Sequence, residues 1–468
     1  MILFALVLMP MVAMMGFGVD YTRVKLMQVR LQFAIDQAAI GLALYSNPDR
    51  YGDDLAQYFG MNFWREDNRD VVLDDLDLDV SEDGRRFDIF ARVIVPTLIM
   101  DKFGEPFSIV EARAVIGRDR GDLELALVMD NTGSMRGGGK IDAMKDAASE
   151  LIAMLYGDED KIPGQYISLV PYVATVNIGD DRESWLQNVR PDIWGPTSWK
   201  GCVMARQSPH DEDDAPPSSA AFEAFYWETT NWAYANGDND WIPDRHTRRA
   251  LGLPVRGWPN EGDVDERNAS QNDGYGPNLG CGPAITPLTD SRRVIEDAID
   301  EMEPWHRGGT MANLGLVWGW RTLSPNWRGL WGAPTPSDYP RDYDARHNTK
   351  VVILLTDGEN SWYDWPNGDP QGDYTGYGRL QEGRLGTTST STATRRINER
   401  MLRTCTAIKE AGITIYTITF RLSSDTAREL YEACASTSSH YFDSPSNEEL
   451  RENFRQIANR LGIPRILE

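Results

Sequence analysis

Cysteine and histidine are scarce in this chain, and neither falls at metal-site spacing. Four cysteines (Cys202, Cys281, Cys405, Cys434) and five histidines (His210, His246, His306, His347, His440) occur in 468 residues. No CxxC, HExxH or mixed Cys/His pattern is present, which removes a structural zinc site or a zinc hydrolase. Gly-x-Ser-x-Gly, Walker and GxGxxG motifs are also absent, so a hydrolase or a kinase has no support and the chain reads as a non-enzyme. Positive charge is in deficit: the net charge is −24. That argues against nucleic acid or an anionic membrane face as the main partner and leaves divalent cations open. The plainer account of the acidity is solubility.

Long uncharged runs are rare too, with one exception. Met1 to Val19, MILFALVLMPMVAMMGFGV, carries no charged residue. That length just spans a hydrocarbon core, and Pro10, Gly16 and Gly18 are tolerated in such a helix. A secretory signal would show a basic start and a small-residue cleavage site, and neither is present. Arg23, Lys25 and Arg30 follow the run, which by the positive-inside rule would place the rest of the chain in the cytoplasm. The cysteines point the other way, since an even number behind a membrane segment suggests two disulfides in an oxidising compartment; four free thiols are the alternative. Cys202 and Cys281 bracket one loop-rich stretch. Cys405 and Cys434 lie on two helices that can be neighbours on one face.

The organisation along the chain is legible from periodicity. In Asp20–Tyr45, Val24, Met27, Leu31, Ile35, Ala38 and Leu42 recur at three- and four-residue steps, so one helical face is apolar; Asn47-Pro48 ends it. Residues 76–80, 87–95 and 107–115 read as strands, giving a small α+β module over 20–118. From Leu123 strands and helices alternate. Leu123–Met129, Tyr166–Tyr172, Val351–Leu355 and Ile413–Phe420 read as strands. Helices are expected at 140–156, 291–302, 312–323, 395–411, 426–435 and 447–461. The fold class is therefore α/β, a doubly wound, mostly parallel sheet over 119–468. Insertions at 177–287 and 361–393 interrupt it. Their density of tryptophan argues against plain disorder. Trp362, Tyr363, Trp365, Tyr374 and Tyr377 are expected to be exposed as binding hot spots, the alternative being a private mini-core.

Three strand-end loops offer hard oxygen ligands. Asp130-Asn131-Thr132-Gly133-Ser134 follows the first strand, Gly308-Gly309-Thr310 precedes a helix, and Thr356-Asp357-Gly358 ends the central strand. The carboxyl ends of parallel strands are where open α/β sheets bind ligands. Two carboxylates with hydroxyls suit octahedral Mg²⁺ or Mn²⁺ that keeps some waters. Weaker candidates are Asn236–Asp244, a calcium-loop-like stretch lacking the closing Glu, and Asp211–Asp214, read as a solvated acidic run. His306 lies near Thr310 and is read as a surface-loop histidine, with the metal face as the alternative.

These residues resemble the von Willebrand factor type A (VWA) family and its metal-ion-dependent adhesion site, whose pattern is Asp-x-Ser-x-Ser, a distant Thr and a distant Asp. The match is Asp130, Thr132 and Ser134, then Thr310, then Asp357, with Thr in the second position keeping the hydroxyl. The N-terminal run, with its central proline followed by Val19-Asp20-x-x-Arg23 and an alanine-rich helix, is similar to the TadE/TadG-like Flp pilus-assembly family. The segments Gly308–Pro325 and Tyr441–Leu461 are similar to the same family. The resemblance implies Mg²⁺ or Mn²⁺ at the five residues and a protein ligand that supplies an acidic side chain. It further implies pilus or envelope assembly proteins as partners, a membrane anchor at 1–19, and a large domain on the periplasmic side or at the cell surface. A scaffold in which metal only stabilises the fold is the alternative. A VWA domain recruiting a chelatase or AAA+ partner is disfavoured by the anchor and cysteines.

Overall fold

In the computed structural model, the residues described are 2–45, 50–81, 86–117, 122–187, 194, 197–227, 239, 266, 276–362 and 373–461; the side chains of residues 2–13, 15, 43–45 and 67 are not among them. The chain forms two compact units, one within residues 1–121 and one over Asp122–Leu461.

The N-terminal unit consists of α1 (Ile2–Tyr45), α2 (Tyr51–Phe63) and an antiparallel sheet in the order β1 (Val72–Val80), β2 (Arg86–Pro96), β3 (Phe107–Gly117). The expected apolar stripe is the buried one: Met27, Leu31, Ile35, Ala38 and Leu42 are buried and Val24 partly so. They pack against Phe87, Ile89, Ala91, Val93 and Val95, the alternate residues of β2, as a half-buried strand requires. Helix α2 was not anticipated. It carries Tyr51, Leu55, Phe59 and Phe63 at four-residue steps, but Gly52, Gly60 and the nearby Pro48 weaken its propensity. Asp20 and Arg23 have a structural task. The Asp20 carboxylate accepts the backbone N–H groups of Leu98, Ile99 and Met100 at 2.8, 3.1 and 2.8 Å. Arg23 donates to the Pro96 carbonyl and pairs with Asp70. Among the described residues no helix is long and apolar enough to cross a membrane; most of the apolar run expected to anchor the chain lies outside the described side chains.

The second unit is the alternating part. Its elements, in order, are β4 (Asp122–Asp130), α3 (Lys140–Tyr156), β5 (Gln165–Tyr172), β6 (Val176–Asn177), β7 (Cys202–Val203), β8 (Thr286–Thr289), α4 (Arg292–Asp300), β9 (Gly309–Thr310), α5 (Ala312–Leu323), β10 (Asn348–Thr356), β11 (Ser361–Trp362), α6 (Thr390–Glu410), β12 (Thr414–Phe420), α7 (Asp425–Cys434), β13 (Tyr441–Ser444) and α8 (Asn447–Leu461). The main sheet runs β13-β12-β10-β4-β5-β8, parallel throughout except for the antiparallel β5–β8 edge. The two edge strands, β8 and β13, were not expected, and α6 begins five residues earlier than anticipated. Both faces are covered. Leu125, Leu127 and Met129 of β4 face α3, α4 and α8, whereas Ala126 and Val128 face α5, α6 and α7. The central strands are accordingly apolar on both sides.

Cys202–Cys281 and Cys405–Cys434 are disulfide-bonded, spanning 79 and 29 positions, and no described cysteine is free. The acidic run of the first insertion is not solvated. Asp211 is buried, Glu212 pairs with Arg403, Asp213 with Arg206, and the Asp214 carboxylate accepts from Ser324, Asn326 and Tyr343. Arg403 comes from α6 and Ser324, Asn326 and Tyr343 from the connection after α5, so these contacts clamp the insertion to the sheet's helices, while Arg206 belongs to the insertion itself. The aromatic residues of the second insertion differ from expectation in the same way. Trp362 and Tyr377 are buried, and Tyr374 packs on Phe225 and Trp227; Tyr363 and Trp365 lie outside the described residues. Of the calcium-loop-like stretch only Asn239 is described, and its amide is bonded to the backbone of Gly276.

Candidate metal centre

Strands β4 and β10 are adjacent and in register, Met129 opposite Leu355, so both chains leave the sheet side by side. From β4 the chain turns through α3 to β5; from β10 it turns through α6, on the other face, to β12. That reversal of direction is the switch point at which doubly wound sheets open a crevice. Asp130 and Asp357 are the residues at its mouth.

Asp130 is fully buried. Its Oδ1 accepts the Thr132 N–H at 2.8 Å, and its Oδ2 accepts the Thr356 hydroxyl at 2.9 Å and the Tyr172 hydroxyl at 3.3 Å. Burial, and next the nearby Asp357 carboxylate, push Asp130 up to about 6 against these hydrogen bonds. The Thr132 and Ser134 hydroxyls are 2.9 Å apart, and Ser134 donates to Asp357 Oδ1 at 2.5 Å. Lys140, the first residue of α3, donates to Asp357 Oδ2 at 2.6 Å. Thr310 is buried in β9, which pairs with β11 so that Thr310 sits opposite Ser361. Its hydroxyl lies against Gly358, where a Cβ would stand 3.7 Å away. The fold thus brings together all five residues singled out from the sequence.

A cleft of about 340 Å³ opens beside them, with Thr132, Ser134, Trp305, His306, Thr310 and Ser361 in its wall. His306 therefore belongs to the site, contrary to its reading as a surface-loop residue. Its ring covers Gly133: a Cβ there would approach Nδ1 to 2.8 Å. Desolvation, then Arg136, hold His306 below its ordinary value, so it is neutral at pH 7. The segment behind the cleft is pinned. Trp305 N–H donates to the Asn131 carbonyl at 2.7 Å. Arg307, Gly308 and Gly309 all take positive φ, 80°, 84° and 97°. Arg307 is held there by two 2.7 Å hydrogen bonds to the buried Asp373, which also accepts the Gly308 N–H at 3.0 Å.

Sequence reasoning missed Lys140, Tyr172 and Asp373. Tyr172 could have been suspected, because it ends the strand next to β4. Lys140 and Asp373 carried no local signal. The donor set fits a hard divalent cation. Two carboxylates come together in a buried place, the Thr132, Ser134 and Thr310 hydroxyls line the adjoining cleft, and one ammonium offsets the charge. Among the described residues no group of three or more His, Cys, Asp or Glu comes together, so a cation here would rely on hydroxyls and water beside the two carboxylates.

Residues 1–41 match the family model described as "Putative Flp pilus-assembly TadE/G-like". No curated protein matches the chain. Among solved structures, the vWF domain of the type V pili tip protein Mfa5 from Porphyromonas gingivalis is similar at 11% identity, covering 74% of this chain and 97% of that one, with a TM-score of 0.36. The pilus adhesin SpaC from Lactobacillus rhamnosus GG, in its open conformation, is similar at 11% identity over 86% of this chain, with a TM-score of 0.35. The chain spans about a third of the length of SpaC, 35%. The pilus adhesin RrgA from Streptococcus pneumoniae is similar at 9% identity, covering 83% of this chain and 48% of that one, with a TM-score of 0.33.

Proposed function

We propose that residues 122–461 form a VWA-type domain that holds Mg²⁺ or Mn²⁺ at its sheet's switch point and uses it to bind a protein partner in a pilus or envelope assembly system. One observation carries this reading. Two buried carboxylates, Asp130 and Asp357, come together at neighbouring strand ends, with the Asp357 N–H donating to Asp130 Oδ2 at 3.4 Å and the Ser134 hydroxyl donating to Asp357. Like charges brought together in a desolvated place are costly unless a cation accompanies them. Asp130, Thr132, Ser134, Thr310 and Asp357 would hold the ion, in part through water. The ion supplies a Lewis-acidic position for a partner's Asp or Glu carboxylate.

The chain's own residues define what reaches that position. Tyr172 and Thr356 fix the Asp130 carboxylate from behind. Trp305 and the neutral His306 give the cleft one apolar wall, which strengthens a carboxylate–cation contact by excluding water. We further read Met1–Val19 as the membrane anchor and the large unit as lying outside the cytoplasm. The two disulfides and the N-terminal pilus-assembly match support this placement.

Cells carrying the full chain with Thr310→Ala test the reading. Attachment should fall to the level given by a chelator on wild-type cells, with the melting temperature of the purified chain unchanged. Wild-type attachment by the variant, or attachment indifferent to chelation, would contradict it and leave the metal as a structural element only.

A further inference from the structure

We propose that the N-terminal unit is seated on a phospholipid bilayer by its β2–β3 connection, residues 97–106, together with the turns of α1 just beyond the apolar run. The inference rests on the reading of Met1–Val19 as an anchor and is independent of the metal.

Helix α1 runs without a break from Ile2 to Tyr45, so no linker separates the apolar run from the folded unit. Whatever packs beside residues 16–20 therefore lies at the level where that run ends. The β2–β3 connection packs there. The Ile99 side chain presses on Gly16 so closely that a Cβ would come within 2.3 Å. The Asp20 carboxylate holds the amides of residues 98–100. The connection is fixed to the helix, and it exposes the apolar Leu98 and Phe103 beside the charged Asp101, Lys102 and Glu105. Met14, Phe17, Leu98 and Phe103 are between 47% and 69% exposed, and Tyr21 and Phe107 flank them with similar exposure.

The backbone suits a poorly hydrated setting. Thr97 N–H donates to Pro106, Lys102 to Ile99, Gly104 to Asp101 and Glu105 to Met100, and the Thr97 hydroxyl donates to Glu105. These internal bonds lower the cost of bringing that backbone to the interface. Aromatic side chains prefer that level. Lys102 is paired with Asp101 and Glu105 adds a negative charge, so the connection carries no net positive charge to seek anionic lipid. The covering partner follows from the helix itself: the run Met1–Val19, whose last turns form part of this collar, is uncharged for nineteen residues, and a bilayer is what such a run enters.

The test uses the full chain reconstituted into phosphatidylcholine vesicles. An environment-sensitive fluorophore is placed on Leu98→Cys, Phe103→Cys, Met9→Cys or Asp79→Cys. Asp79 pairs with Asp88, at the end of the sheet away from Pro96. Labels at 98 and 103 should be quenched by lipids brominated near the glycerol, with blue-shifted emission, and should not respond when phosphatidylglycerol is added. The label at 9 should be quenched by lipids brominated at the chain ends, and the label at 79 by neither. Quenching at 9 with solvent-like emission at 98 and 103 would overturn the proposal and leave the anchor standing. Blue-shifted but unquenched labels at 98 and 103 would show a protein, such as a second copy, on this face, and overturn it too. No quenching at 9 would remove both readings.

Discussion

The Lys140 ammonium donates to Oδ2 of Asp357 at 2.6 Å while the Ser134 hydroxyl donates to Oδ1 of the same carboxylate. The lysine reaches this point because Gly138 and Gly139, just before α3, take φ values of 63° and 66°, which L-residues with a Cβ adopt only at a cost. Arg421 secures the turn by donating to the Gly138 carbonyl. The candidate centre thus contains a positive charge of its own, set against the carboxylate whose side chain is fully buried.

Lys140→Met should make folding of the second unit depend on metal. Leaving a buried carboxylate unpaired costs about 3 kcal/mol, and a cation that binds only the folded state restores stability. Thermal unfolding of the full chain, with chelator and with excess Mg²⁺, should show a lower metal-free melting temperature and a larger Mg²⁺ shift than in wild type. Equal shifts in the two proteins would show that Lys140 is not the counter-charge.

Mg²⁺ affinity should fall as the pH drops below about 6, the value to which burial and Asp357 push Asp130. The ion competes with the Asp130 proton, so each further pH unit weakens binding about tenfold. Without metal the sign reverses. The folded state holds this proton more tightly than the unfolded chain, so the stabilisation is full below the ordinary carboxylate value of 3.8 and is lost as the pH rises from there to about 6. Calorimetric titrations at pH 5 and pH 7.5 with identical affinities would contradict the assignment.

Asp373→Ala should destabilise the second unit by about 3–5 kcal/mol, the cost of leaving the buried Arg307 charge without its carboxylate. It should also weaken Mg²⁺ binding, because the Arg307-Gly308-Gly309 turn that sets Thr310 loses its clamp. Deleting residues 362–390 should likewise unfold the unit, since the deletion removes Asp373 together with the buried Trp362 and Tyr377. Denaturant unfolding and metal titration of both variants check this; a deletion variant as stable as wild type would make the insertion an appendage.

Gly133→Ala should cost more than the usual effect of a surface loop change, because the new methyl meets the His306 ring. His306→Ala in the same chain should recover most of the loss. A double-mutant cycle showing no coupling between the two would place the ring elsewhere.

The sheet and its ligand loops were legible because their signals are local. A largely apolar strand followed by Asp-x-Thr-x-Ser, and a second one ending in Thr-Asp-Gly, name both strands and the side of the sheet that matters. The stripe on α1 was equally plain, since six of its residues repeat at helical steps. Signals made by distant partners were not visible. Asp211–Asp214 looks solvated until Arg403, Ser324 and Tyr343 are placed around it. Lys140 stands 217 positions from Asp357, and nothing near either residue announces the pair. The edge strands β8 and β13 were missed because four-residue strands containing Pro287 or Asp443 lack an alternating pattern to detect.

The central claim is that a divalent cation binds where Asp130 and Asp357 meet. Isothermal titration of Mg²⁺ into the detergent-solubilised full chain at neutral pH tests it most directly, with Asp130→Ala as the comparison and circular dichroism to confirm that both are folded. The account predicts one saturable site in the wild type and none in the variant. Equal binding by the two folded proteins would contradict it.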